Sequence, residues 1–531
     1  MSYSRRNFLK AAGSGVVLTA VTGETLFAAP TTLPAFPKPF ANEKASFLVN
    51  GKLYPAEYEA RTTLWEVISM KLGLTGTNRS CNRGSCGACS VLVDGTPLYS
   101  CHTLATEAVG KKILTIEGVG DEKNLHPLQR IGHMRVAADC GFCTAGWVVT
   151  AKGLLDKNPS PDEDQVKAAL AGHICRCSAY PHIIRTVMDS AAVLRGSKAP
   201  IEPELENVVH IKMPMVRDYS TTGGHLAGDE VIEGTNKTVT KKWQGYPPEN
   251  LNVLGKPLPP LPEVSIPRFT GKAQYASRVW FPDLLYTKFL TCPHPRALLK
   301  DIDTSAAEKM PGVHHILTYK NAPKLQRPNV ARGRILPEPL PREINLQGEA
   351  VAIVVAETED LAQDAADAIK VEYEVLRFAS MLKDSMAADA PDLGHGKGNL
   401  IRHSFSPQDL PNVTWADKRG DIEKGFAEAD VIKEFAYRFT GGVSVPMQPS
   451  GSVAKWDGDR LTMWGMGQGI YPVRASLATA LGIDVSKVRL INKWNGSTFG
   501  AARMAAERFY PMIAHLAKVT GRPVKIMLPK D

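Results

Sequence analysis

The sequence predicts an α+β protein of several domains, and three observations support that class. The chain has 531 residues, of which 44% are hydrophobic and 22% are charged, an ordinary globular composition with enough length for about three or four domains. Eight of its nine cysteines lie between residues 81 and 177, in a region that mixes strand-like and helical runs. Beyond residue 262 a strand, a helix and a second strand follow one another, which is typical of a mixed α/β domain.

Residues 1–30 predict an export signal. The run Ser4-Arg5-Arg6-Asn7-Phe8-Leu9-Lys10 matches a twin-arginine pattern, and a weakly apolar stretch follows it from Ala11 to Ala29. That stretch is too short and too rich in Gly, Thr and Ala for a transmembrane helix. Because the twin-arginine route carries folded proteins, we expect a periplasmic protein that is already folded when it is exported. No clean cleavage site follows, so an uncleaved membrane anchor is the alternative.

The first cysteine tetrad predicts an iron–sulfur site. Residues 44–118 contain short strand-like runs around the loop Cys81-Asn82-Arg83-Gly84-Ser85-Cys86-Gly87-Ala88-Cys89, and Cys101 completes a C-x4-C-x2-C-x11-C pattern. The first three cysteines have the spacing of plant-type [2Fe–2S] ferredoxins. Gly84 and Gly87 allow the loop to fold tightly and to direct backbone N–H groups at the cluster sulfurs.

The second tetrad lies in a helical region, residues 119–196, and reads C-x2-C-x31-C-x-C. Its members are Cys140, Cys143, Cys175 and Cys177. A helix is expected from Trp147 to Leu155, directly after Cys143. The run Ser160-Pro161-Asp162-Glu163 resembles a capping box that starts another helix, whose end would deliver Cys175 and Cys177. We therefore predict a second [2Fe–2S] cluster among helix termini.

Two other interpretations of the eight cysteines stay open. An exported chain could contain four disulfides, or each tetrad could hold a structural zinc ion. Neither accounts for a ferredoxin loop that is followed by a second tetrad. Cys292 has no partner cysteine nearby in the sequence, and we interpret it as an ordinary buried thiol.

The rest of the chain is predicted to contain a connector and two mixed domains. Residues 197–262 end in six residues of which four are proline, a composition that favours an irregular connector. In residues 263–395, a strand at Ala350 to Ala356 precedes a helix and the strand Val371 to Val375. Residues 396–531 contain two predicted helices, Val473 to Leu481 and Met504 to Val519, and a final strand at Val524 to Leu528. The net charge of +9 is small for this length, and no basic tract is present, which argues against nucleic acid as a partner.

The order of these parts resembles the xanthine oxidase family of molybdenum hydroxylases. The first cysteine loop resembles that family's distal cluster motif. Cys140-Gly141-Phe142-Cys143 together with Cys175-Arg176-Cys177 resembles its proximal cluster motif, next to the molybdenum cofactor. The resemblance implies a β-grasp ferredoxin-like [2Fe–2S] domain over 44–118, a helical-bundle [2Fe–2S] domain over 119–196, an α/β hammerhead domain over 263–395 and the N-terminal part of a molybdopterin-binding domain over 396–531.

The resemblance also implies a set of contacts to a molybdopterin-type cofactor. Asp139 stands where a glutamine is usual and cannot donate to the pterin unless it is protonated. The family's glycine-rich loop reads Asn495 to Arg503 here and lacks two of the glycines. Arg503 falls where some members place an acid that faces the substrate, which would favour an anionic or hydrogen-bond-accepting substrate; the alternative is a charge on a helix surface. The implied cofactor contacts are Asp139, Cys140, Gln468, Thr498, Phe499, Gly500 and Arg503.

The function implied by the resemblance is oxidation of an aldehyde or N-heteroaromatic substrate with water as the oxygen source. Electrons would pass through both clusters to an external periplasmic carrier such as a cytochrome c. The chain ends at Asp531, roughly midway through the family's molybdenum region, so we expect a second subunit to share the cofactor and to supply the catalytic glutamate. The alternative is an iron–sulfur electron-transfer protein that has no catalytic centre of its own and docks a partner through the truncated region.

Overall fold

The computed structural model describes residues 42–197, 229–231, 238–240, 261–325, 338–392, 399, 421–439, 442–528 and 530. The predicted export signal and most of the predicted connector lie outside these residues. Nowhere in the described ranges is there a helix with the length and apolar character needed to cross a membrane.

The first domain is a five-stranded mixed sheet that packs on a short helix. Its elements are β1 (Asn42–Val49), β2 (Lys52–Glu59), α1 (Leu64–Glu66, continued by further helical turns to Lys71), β3 (Ser90–Val93), β4 (Thr96–Tyr99) and β5 (Lys112–Leu114). The strand order is β2-β1-β5-β3-β4, and β1 and β5 are parallel. Alternate residues of β1, Phe47 and Val49, are fully buried with Leu64 and Ile68 of the helical turns. This is the predicted ferredoxin-like sheet. The long connection from the helical turns that end at Lys71 to β3 contains the cysteine loop.

The second domain is a bundle of four helices. They are α2 (Pro127–Met134), α3 (Thr144–Lys157), α4 (Glu163–Leu170) and α5 (Tyr180–Leu194). The predicted capping box is wrong by two residues. The carboxylate of Asp162 accepts from the N–H of Gln165 at 2.7 Å, and the Gln165 side chain accepts from the N–H of Asp162 at 3.1 Å. Asp162 is therefore the N-cap, because its carboxylate satisfies a free N–H of the first turn.

The described residues from 261 onward form two sheets, one of seven strands and one of three strands. Helix α6 (Pro262–Phe269) precedes them in the chain. Its first residue is proline, which is tolerated there because the N–H that proline lacks would have no partner within the helix. The elements that follow are β8 (Leu285–Thr291), β9 (Ala297–Asp303), α7 (Ser305–Glu308), β10 (Val313–Thr318), β11 (Glu343–Ile344), β12 (Ala350–Ala356), α8 (Glu359–Asp367), β13 (Lys370–Val375), α9 (Leu382–Ser385), α10 (Ile422–Ala427), β14 (Gly451–Asp457), β15 (Arg460–Gly465), α11 (Ile470–Leu481), β16 (Val488–Ile491), α12 (Ala501–Thr520) and β17 (Val524–Met527). The sheet of three strands has the order β11-β9-β13. Two further short strands, β6 (Asp229–Val231) and β7 (Thr238–Thr240), pair with each other.

The larger sheet has seven strands in the order β10-β12-β8-β17-β14-β15-β16. Strands β8, β10 and β12 come from the predicted hammerhead region, whereas β14 to β17 come from the predicted cofactor-binding region. Val524 of β17 pairs with Leu285 of β8 in parallel. The two regions thus share one sheet, and helix α12 packs on it through buried residues such as Ile513 and Leu516.

Candidate functional site

The cysteine loop of the first domain is shaped by residues with left-handed backbone angles. Asn82, Gly84 and Gly87 all have φ between +53° and +73°, which glycine adopts without strain. A Cβ atom at Gly87 would lie 2.7 Å from the carbonyl oxygen of Gly172, so only glycine fits there. The backbone N–H groups of Arg83 and Ser85 point at the Sγ atom of Cys81, at 3.5 and 3.4 Å, as expected for a loop that stabilises a thiolate.

The first tetrad forms two thiol pairs. Cys81 lies within hydrogen-bonding reach of Cys86, and Cys89 lies within reach of Cys101. The hydrogen bond with Cys89 is the largest cause that lowers the pKa of Cys101, to about 6. For Cys81, burial acts to raise the pKa, but the N–H groups of Arg83 and Ser85 help to bring it below its ordinary value. One thiol of each pair is therefore predisposed to the thiolate form that binds metal.

The second tetrad also forms two pairs, Cys140 with Cys177 and Cys143 with Cys175. Cys143 is the residue directly before α3. Helix α4 ends at Leu170, so Cys175 and Cys177 lie in the turn that connects α4 to α5 and not at the end of the helix itself. The hydrogen bond with Cys143 is the largest cause that raises the pKa of Cys175, to about 11. Metal binding at this tetrad would therefore release protons.

The donor set of each tetrad fits a two-iron cluster. A [2Fe–2S] cluster has four cysteine ligands in total, two on each iron, and each tetrad consists of two pairs. In the described ranges, no three His, Cys, Asp or Glu side chains converge as ligands of a single metal ion would. All nine cysteines are free thiols.

A short segment before Cys175 connects the two tetrads. The backbone N–H of Ile174 donates to the carbonyl oxygen of Cys86 at 3.0 Å. The Nε2 atom of His173 lies 3.1 Å from the hydroxyl groups of Ser90 and of Thr150. Burial lowers the pKa of His173 to about 4, which keeps the ring neutral at neutral pH. The only local signal for His173 is its position two residues before a cysteine.

The predicted cofactor loop packs against the second tetrad. Gly496 and Gln448 are joined by two hydrogen bonds: the N–H of Gly496 donates to Oε1 of Gln448 at 2.7 Å, and the N–H of Gln448 donates to the carbonyl of Gly496 at 3.1 Å. A Cβ atom at Gly496 would lie 2.5 Å from the Cβ of Gln448 and 2.8 Å from the Phe142 ring. The Ser497 hydroxyl lies within hydrogen-bonding reach of the Cys140 thiol.

The predicted cofactor contacts are only partly brought together. Thr498 is buried, whereas Phe499 is half-exposed under the guanidinium of Arg176, at 5.0 Å from the ring centre. Gly500, with φ +89°, precedes helix α12. Asp139 is exposed and contributes negative charge at Cys177. The side chain of Arg503 lies outside the described residues.

Gln468 lies in a neighbouring loop that two asparagines hold in place. The side-chain amides of Asn492 and Asn495 donate to the carbonyl of Gly467, at 2.9 and 3.3 Å. Their carbonyl oxygens are buried and have no partner among the described residues, and the same is true of Nε2 of Gln448. Buried polar atoms without partners usually mark a site for a ligand or water. These unpaired atoms fit a polar cofactor such as a pterin between the loops at 448, 468 and 496.

Gln448 was absent from the predicted cofactor contacts. Its sequence signal was the run Pro446-Met447-Gln448-Pro449, which resembles the start of the family's cofactor-binding domain.

Three family models match the chain. Residues 115–188 match a [2Fe-2S] binding domain. Residues 270–377 match the a/b hammerhead domain of aldehyde oxidase and xanthine dehydrogenase. Residues 405–531 match a molybdopterin cofactor-binding domain.

Known proteins also resemble the chain. An aldehyde oxidoreductase of Megalodesulfovibrio gigas is 30% identical over 497 residues, which are 90% of this chain and 48% of that protein. The nicotine 6-hydroxylase small subunit of Paenarthrobacter nicotinovorans is 40% identical over 154 residues, which are 29% of this chain and 93% of that subunit. The solved aldehyde oxidoreductase from Desulfovibrio gigas superposes with a TM-score of 0.72 and 27% identity, over 92% of this chain and 49% of that one. The chain therefore spans about half the length of the aldehyde oxidoreductases that it matches.

Proposed function

The chain belongs to the xanthine oxidase family of molybdenum hydroxylases, and from that premise we propose that it oxidises an aldehyde or N-heteroaromatic substrate and passes the electrons to an external acceptor. The molybdenum cofactor, when bound, supplies the two-electron oxidation of the substrate carbon, and water supplies the oxygen atom. Gln448, Gln468 and Thr498 would hold the cofactor. The eight tetrad cysteines would hold two [2Fe–2S] clusters.

The observation that carries the proposal is the position of the second tetrad. It lies between the cofactor loops and the first tetrad, which is the order that one-electron transfer away from the substrate requires. On one side, Ser497 reaches Cys140 and Arg176 donates to the carbonyl of Ser444 at 2.9 Å. On the other side, the hydrogen bond from Ile174 to Cys86 connects the residue directly before Cys175 to a cysteine of the first tetrad.

The metal content of the purified protein tests this proposal. We expect four iron atoms per chain and two distinguishable electron paramagnetic resonance signals after reduction. The Cys175→Ser variant should lose one signal and keep the other, because it removes a ligand of the second tetrad only. Cys292→Ser is the matched control, since Cys292 is equally buried and should leave both signals unchanged. Stoichiometric zinc, or iron sufficient for one cluster, would contradict the proposal.

A second polypeptide segment is part of the proposal. The described residues 431–439 and 442–445 carry several exposed apolar side chains, and exposed apolar patches are usually covered in soluble proteins. We propose that polypeptide corresponding to the other half of the aldehyde oxidoreductases covers this segment and supplies the catalytic glutamate, which completes the cofactor site. Relatives such as the nicotine 6-hydroxylase small subunit are named as subunits, which supports an assembly of more than one chain.

Export and the electron acceptor remain proposals from the sequence. The twin-arginine run at Arg5 and Arg6 supports a periplasmic location and therefore a periplasmic electron carrier such as a cytochrome c. The compartment in which an Arg5→Lys, Arg6→Lys double variant accumulates is the measurement that tests the location. Accumulation of that variant in the periplasm at the normal level would contradict it.

A further inference from the structure

The ammonium group of Lys530 joins the first cysteine loop to the cofactor-binding region. Its Nζ atom donates to the Ser80 hydroxyl at 2.7 Å and to the carbonyl oxygens of Pro446 and Met447 at 2.7 and 2.8 Å. The carbonyl of Lys530 in turn accepts from the guanidinium of Arg83 at 3.0 Å. Ser80 directly precedes Cys81 and Arg83 follows it by two residues, so Lys530 is held from both sides of that cysteine.

These contacts fix a positive charge next to the first tetrad. An ammonium has three N–H donors and no acceptor, and the three partners use all of the donors. Because a hydroxyl and two carbonyls are uncharged, the partners do not cancel the charge of the ammonium. The half-buried Cys81 and the buried Cys86 are the thiols that interact electrostatically with Lys530.

Reduction adds a negative charge to an iron–sulfur cluster, and a fixed positive charge nearby favours that reduced state. We propose that Lys530 is a positioning residue that raises the reduction potential of the cluster in the first tetrad and so draws electrons outward from the second tetrad. The electron that the first cluster would gain is the one that the second cluster would lose, and the charge of Lys530 would favour its transfer to the first cluster. No bond or proton changes place. The inference rests on the proposed function, because it requires both clusters.

A redox titration of the full protein tests the role of Lys530. The signal that survives in Cys175→Ser identifies the first cluster, and its reduction is followed against applied potential by electron paramagnetic resonance. In Lys530→Met we expect the reduction equilibrium of that cluster to shift about tenfold towards the oxidised state, the effect of a unit charge at about 10 Å in a medium of dielectric constant about 20. This corresponds to about 59 mV for a one-electron couple.

The controls separate charge from structure. Lys530→Arg keeps the charge and should keep the potential. Lys487→Met removes an exposed charge of the same region, which pairs with Asp459 at 2.8 Å, and should leave the potential unchanged. An unchanged first-cluster potential in Lys530→Met would overturn the inference.

Loss of the first cluster in both Lys530→Met and Lys530→Gln would also overturn it, in favour of a purely structural role. If the unmodified protein lacks the first-cluster signal, the proposed function itself fails. That result is distinct from an unmoved potential in a protein with both clusters.

Discussion

At the residue scale, Gln448 uses only one end of its side chain. It is completely buried, and its Oε1 atom accepts from Gly496, while its Nε2 atom has no partner among the described residues. A buried donor without a partner costs about 1–3 kcal/mol. A bound group that supplies the missing acceptor would remove this cost. The carbonyl oxygen and ring nitrogen atoms of a pterin are acceptors of that kind.

Replacing Gln448 by glutamate should weaken cofactor binding without loss of iron. Glutamate keeps the shape and an acceptor for Gly496, but it loses the donor, so we expect cofactor affinity to fall about tenfold or more, which corresponds to about 1.4 kcal/mol. The measurement is the pterin and iron content of the protein purified together with the proposed partner polypeptide. Gln363→Glu, at an exposed position, is the control. Pterin content equal to that of the unmodified protein would refute the role of Gln448.

The sequence predicts functional residues that have a characteristic spacing along the chain. It does not predict residues whose role depends on tertiary contacts. The eight tetrad cysteines are predicted because ligand spacing along the chain is itself the signal. His173, Gln448 and Lys530 acquire their roles from partners that are distant in sequence, such as Ser90, Gly496 and Ser80. Apart from the run Pro446-Met447-Gln448-Pro449 around Gln448, no local pattern distinguishes them from ordinary surface or core residues.

At the element scale, helix α10 is followed by exposed residues in which every second side chain from Phe435 to Phe439 is aromatic. Phe435, Tyr437 and Phe439 are 66%, 89% and 91% exposed, and they alternate as side chains on one face of a β-strand do. Ser444, near the end of the segment, is bonded to Arg176 beside the second tetrad. A strand that covers this face would thus lie close to the cofactor loops.

The triple variant Phe435→Ser, Tyr437→Ser, Phe439→Ser should lose binding of the proposed partner polypeptide. The apolar face is the part of the segment that gains most from burial, at about 25 cal/mol for each Å² removed from water. We expect the partner to be retained at no more than a tenth of the normal ratio in native mass spectrometry, with iron content unchanged. The control is Lys433→Ser, Arg438→Ser in the same segment. Normal retention of the partner by the triple variant would show that another surface binds it.

Elements with strong local signals are predicted closely. The strand expected at Ala350 to Ala356 is confirmed without change, and the helix expected from Val473 begins at Ile470. The pairing of β17 with β8 could not be predicted, because strand partners far apart in sequence are selected by packing and not by local pattern. For the same reason the sequence suggested a domain boundary near residue 395, although strands from both sides of it share one sheet.

At the scale of the whole molecule, a buried ion pair joins the first domain to the hammerhead region. Arg79 of the first domain lies 2.6 Å from Glu359 at the start of α8, and each side chain is only 12% exposed. Lys288 of β8 lies 3.5 Å from the same carboxylate, and the Arg79 guanidinium covers the Trp65 ring at 3.9 Å. Burial acts to raise the pKa of Glu359, but the charges of Arg79 and Lys288 outweigh it and hold the pKa at about 2.

The depressed pKa of Glu359 determines the pH range over which the ion pair stabilises the folded state. Because the folded pKa of Glu359 is below the ordinary value of 4.5, its ionised form stabilises the folded state fully above about pH 4.5. That contribution is lost as the pH falls from about 4.5 towards about 2. Between pH 8 and pH 5 it is therefore constant.

Replacing Glu359 by glutamine should loosen the first domain from the rest of the molecule. The change leaves Arg79 buried without its main counter-ion. Loss of one partner of a buried ion pair typically lowers the free energy of unfolding by about 3–5 kcal/mol. We expect the denaturant midpoint, followed by the visible circular dichroism of the clusters, to fall at pH 7, where Glu359 is ionised. The double variant Arg79→Met, Glu359→Gln should lose less than the single variant, because it removes the unpaired charge. Asp389→Asn, which breaks an exposed pair with Arg377, is the control and should leave the midpoint unchanged. A midpoint for Glu359→Gln as high as that of the control would mean that the ion pair does not hold the domains together.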